Sequence, residues 1–72
     1  MEVKERIGIL EETIKKKVKS YLMINEDKVF FIVKTNPGVF QNNLYLVDSK
    51  GKVSIADPKY FTELKEEDFK HI

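Results

Sequence analysis

Seventy-two residues with thirteen basic and twelve acidic side chains, a net charge of +1 and no cysteine suffice for one small domain. They exclude a disulfide framework and a thiolate metal centre, and the charge balance lacks the basic excess of a nucleic-acid coat. An apolar content of 42%, with five Phe and three Tyr, is too rich for a disordered chain.

The longest apolar run, Val29 to Val33, is far short of a membrane span. The opening "MEVKER" is charged from its second residue, unlike a secretory leader. The absence of cysteine fits a reducing compartment. The expectation is a cytoplasmic protein with no membrane partner. At this size a core needs close helix–sheet packing or self-association.

Val3, Ile7, Leu10, Ile14 and Val18 recur at steps of three and four, followed by Tyr21 or Leu22. This spacing predicts an amphipathic helix from Val3 to Lys19. Glu2, Glu5, Glu11 and Glu12 stand early and Lys15, Lys16, Lys17 and Lys19 late, which complements the helix dipole. Gly8 alone dissents, at about 1 kcal/mol against alanine. The run "YLMI", Tyr21 to Ile24, breaks one-face spacing. It reads first as the helix end near Leu22, before a turn at Asn25 to Asp27, and second as an additional strand.

Val29 to Lys34 is a strand by its β-branched and aromatic content, and Leu44 to Asp48 and Lys52 to Ala56 are two more. "DSKG" joins the last two as a hairpin turn, with Asp48 opening it and Gly51 free to take positive φ. Asp57 then suits an N-cap and Pro58 the first position of a C-terminal helix. Tyr60, Phe61, Leu64, Phe69 and Ile72 could line that helix, bent near Thr62. The expected architecture is a single α+β domain over residues 1–72, in the order α-β-β-β-α. Its antiparallel sheet has three strands, or four if Tyr21 to Ile24 joins it.

The first strand has no polar side, since Val29, Phe31 and Val33 face one way and Phe30 and Ile32 the other. The second strand alternates Leu44 and Leu46 with Tyr45 and Val47. One helix covers one face, so Phe30, Ile32, Tyr45 and Val47, or whichever set lies opposite it, need another cover. The C-terminal segment, with Phe61, Leu64 and Phe69, is the preferred cover, and a second copy of the chain is the alternative.

Little here resembles catalytic chemistry. His71 is the sole histidine, and its i,i+4 spacing from Glu67 has no third metal ligand to complete it. Glu63, Glu66, Glu67 and Asp68 read as a solvated surface rather than a carboxylate pair with separated pKa values. The three glycines form no phosphate-binding loop or nucleophile elbow. No cofactor or metal is expected, and the protein reads as no enzyme.

The run "KKKVK" (Lys15, Lys16, Lys17 and Lys19) could contact phosphates, but reads first as the solvated back of the helix. No aromatic side chain interleaves with it. Six basic residues against four acids leave residues 1–20 at +2, and three against five leave residues 57–72 at −2. The two segments therefore suit each other as neighbours, within one chain or between two. In "KTNPGVFQNN", Lys34 to Asn43, Pro37-Gly38 has type II turn character. Phe40 there is either a plug over the sheet or a contact offered to a partner.

The short make-up, rich in Lys, Ile and Asn, resembles that of the small orphan proteins carried by prophages of low-GC Gram-positive bacteria. That resemblance implies an accessory protein acting by binding. The first functional expectation is a non-catalytic protein-interaction or assembly module, with a homodimer as one form. Phe30, Ile32, Tyr45, Val47 and Phe40 are its candidate contacts. The alternative is a nucleic-acid-binding accessory protein using Lys15 to Lys19.

Overall fold

The computed structural model describes residues 1–33, 44–57, 59 and 64–72. Helix α1 spans Val3–Ile14 and precedes strands β1 (Ser20–Asn25), β2 (Lys28–Ile32), β3 (Leu44–Val47) and β4 (Val53–Ile55). A 3-10 turn at Glu66–Asp68 leads into a last short strand, β5 (Lys70–His71). The sheet is antiparallel throughout, in the order β4-β3-β2-β1-β5.

The N-terminal helix is present but stops short of the expected Lys19. Lys15 takes a left-handed conformation (φ 59°, ψ 35°), and its N–H donates to the Glu11 carbonyl. The Glu11 side chain reaches past the helix end, where its Oε2 accepts the Val18 N–H at 2.9 Å. Two groups of one residue thus satisfy backbone donors that a continuing helix would have bonded itself. The chain is then free to enter β1, where "YLMI" pairs with β2. The second-choice strand is the one that forms. An unbroken apolar run fits a strand with sheet neighbours better than the exposed end of an amphipathic helix.

The β1–β2 turn is held by the Asp27 N–H donating to Asn25 Oδ1 at 2.8 Å, and a β-bulge sits between Met23 and Asn25. The β3–β4 turn is the expected "DSKG". Gly51 has φ 82° and donates to the Asp48 carbonyl at 3.0 Å, while Asp48 Oδ1 accepts the Lys50 and Lys52 N–H groups at 2.9 Å. Ser49 Oγ donates to Asp27 Oδ1 at 2.7 Å, tying the two hairpin turns together.

The register fixes the faces. Phe31 lies opposite Tyr45 and Val29 opposite Val47, whereas Phe30 pairs with Leu46 and Ile32 with Leu44. Val29, Phe31, Tyr45 and Val47 therefore pack with Leu10, Val18, Ile7 and Ile14 on the α1 side. Phe30, Ile32 and Leu44 form the other core with Ala56, Leu64 and Phe69. Grouping Tyr45 and Val47 with Phe30 and Ile32 was the wrong parity. The second cover is intramolecular, as preferred, with Leu64 and Phe69 supplying part of it.

Among the described residues, five strands replace the expected three or four. Where a C-terminal helix was expected, the described residues hold the 3-10 turn and β5. Lys70 and His71 gain backbone partners on Tyr21 and Ser20, which a helix there would forgo. Pro58, Tyr60, Phe61, Thr62, Glu63 and the segment 34–43, where the Pro-Gly turn was expected, lie outside the described residues.

Candidate functional site

Most of the nominated contact residues are inside the protein. Phe30 and Val47 are fully buried and Ile32 nearly so, while Tyr45 is half-buried beneath α1. Phe30, Ile32 and Val47 are core side chains in the single chain, whereas Tyr45 keeps part of its surface exposed. Phe40 lies outside the described residues.

The lysine run is exposed, but most of it is not on a helix. Lys15 is the left-handed cap, and Lys16, Lys17 and Lys19 belong to the connection into β1. With Gly8, Glu11 and Glu12, the first three lysines line an open depression of about 350 Å³. Its charge is mixed. Lys15 Nζ lies 3.4 Å from Glu12 Oε1, and Glu11 is engaged by Val18. A phosphate entering there meets two carboxylates as well as three ammonium groups.

β5 adds to this corner. Its register sets Lys70 opposite Tyr21 and His71 opposite Ser20, and the Ile72 N–H donates to the Lys19 carbonyl at 3.0 Å. Backbone pairing thus joins the two terminal segments whose opposite charges suggested proximity. Lys70, opposite half-buried Tyr21, and His71, opposite Ser20, take opposite faces of the sheet, and it is Lys19 of the lysine run that meets this segment. The helical spacing of Glu67 and His71 is not realised, because one lies in the 3-10 turn and the other in β5. Among the described residues no group of three His, Asp or Glu side chains is arranged to hold a metal ion, and no helix is long and apolar enough to cross a membrane.

The side chains that the sequence reading did not nominate are at the sheet margins. β5 pairs with only Ser20 and Tyr21. From Leu22 to Asn25 the outer side of β1 meets no strand among the described residues. Met23 is 45% and Ile24 50% exposed there, and no residue from Ser20 to Asn25 carries a charge. On the opposite margin Ile55 of β4 is 72% exposed. The available signal for Met23 and Ile24 was the apolar run that broke helical spacing just before a polar turn.

Arg6 stands apart from these surfaces. It is 1% exposed between α1 and β3, its Nη1 lies a long 3.5 Å from the Val47 carbonyl, and its Nε has no partner among the described residues. Its stem contributes packing, while its charged end is weakly satisfied. Compared with family models, curated proteins and solved structures, the chain matches none.

Proposed function

We propose that this chain is a small non-catalytic protein-interaction or assembly module, working without cofactor or metal. The supporting observation is the outer side of β1 beyond Tyr21, which meets no strand among the described residues, with Met23 and Ile24 exposed along an uncharged strand. Sheet edges are normally blunted by charge or shortness, since unpaired N–H and C=O groups invite another strand. β5, at two residues including Lys70, and β4, at three residues following Lys52, follow that rule. β1 does not. An apolar open edge suits an extended backbone that adds to the sheet, with side chains seated on either face. The lack of cysteine supports the cytoplasm as its compartment.

The test uses immobilised full-length chain and a lysate of the source cells. Capture of a binding protein by the wild type but not by the Met23→Lys, Ile24→Lys double variant is the expected result. Equal capture by both would remove β1 as the site. No capture, together with a monomeric mass at every concentration, would overturn the module reading.

A second reading, a nucleic-acid-binding accessory protein, is favoured by the exposed lysines of the run Lys15 to Lys19, the last of which accepts the Ile72 N–H at the end of β5. It expects retention on generic DNA with a steep salt dependence, reduced in Lys16→Ala and Lys70→Ala. Failure to bind heparin or DNA at low salt would remove it.

A further inference from the structure

We draw no further inference here: the strongest candidate, the buried Arg6 guanidinium between α1 and β3, whose Nε has no hydrogen-bond partner among the described residues, carries nothing, because at 1% exposure it offers no surface at which a ligand could meet it.

Discussion

Alanine at Gly8 and alanine at Gly51 should move stability in opposite directions. Gly8 lies within α1, and nothing stands within 4 Å of the position its Cβ would take. Alanine there gains helix propensity of about 1 kcal/mol without a packing penalty. Gly51 closes the β3–β4 turn at φ +82°, and its Cβ would lie 3.1 Å from Ile9 Cδ1 and from Met1 Cε. Both neighbours are tips of flexible side chains, so the contact adds little. The left-handed backbone itself costs an L-residue roughly 1–2 kcal/mol.

The two alanine variants should therefore differ by about 2–3 kcal/mol, a separation on the order of 10 °C or more in melting temperature for a domain of this size. Valine at Gly51 should be worse than alanine, because a branched Cβ tolerates positive φ poorly. Urea unfolding followed by circular dichroism measures this, with the slope expected to stay constant. A Gly51→Ala protein as stable as wild type would mean that the turn is not closed through a left-handed residue. A destabilised Gly8→Ala would mean that the outer face of α1 is covered.

Arg6→Met should leave stability unchanged or raised, since it keeps the packed stem and removes a buried, weakly bonded guanidinium. Arg6→Ala should lose about 2 kcal/mol of packing, and equal losses in both variants would show that the charged end is well bonded. The Asp48 carboxyl is held below its ordinary pKa of 3.8, chiefly by the Lys52 backbone N–H, with that of Lys50 and both lysine charges assisting against desolvation. A depressed folded-state pKa contributes stability that is present above 3.8 and lost as pH falls through the lower folded value. The stability difference between wild type and Asp48→Asn should therefore shrink on acidification through that window, and a pH-independent difference would contradict the assignment. Phe69→Ala should destabilise by about 3 kcal/mol and increase binding of a hydrophobic dye as the Phe30–Ile32 face loses cover. An unchanged melt and dye signal would mean that Phe69 is not part of that core.

The elements that were legible in the sequence are those specified locally. α1 announces itself by spacing, β2 to β4 by composition, and the "DSKG" turn by an acid and a glycine three residues apart. The helix end was not legible because neither glycine nor proline marks it. It depends on the Glu11 carboxylate reaching Val18 and on β1 finding β2. β5 has two residues, too few for any periodicity to register, and exists because Ser20 and Tyr21 are there to pair with it.

The faces illustrate a sharper limit. Alternation correctly separated Phe30 and Ile32 from Phe31, and Tyr45 from Leu46, but the sets join only through register. A one-residue slip of β3 would have reversed the answer. The same limit governed the candidate site. Met23 and Ile24 are exposed because β5 is short, a property of strand pairing rather than of their own neighbourhood.

Chain order and sheet order agree from β1 to β4 and then part, since β5 returns to the far side of β1. Each hairpin of that meander closes over a short stretch, whereas β5 closes over about fifty residues, from Ser20 to His71. Such a contact has nothing to pair with until β1 is already held by β2, so the terminal strap docks late in folding. Its own ladder has only two residue pairs, the fewest of any strand pair in the sheet, while Leu64 and Phe69 before it are held in the core. Amides bonded to β5 should therefore exchange sooner than those between β2 and β3.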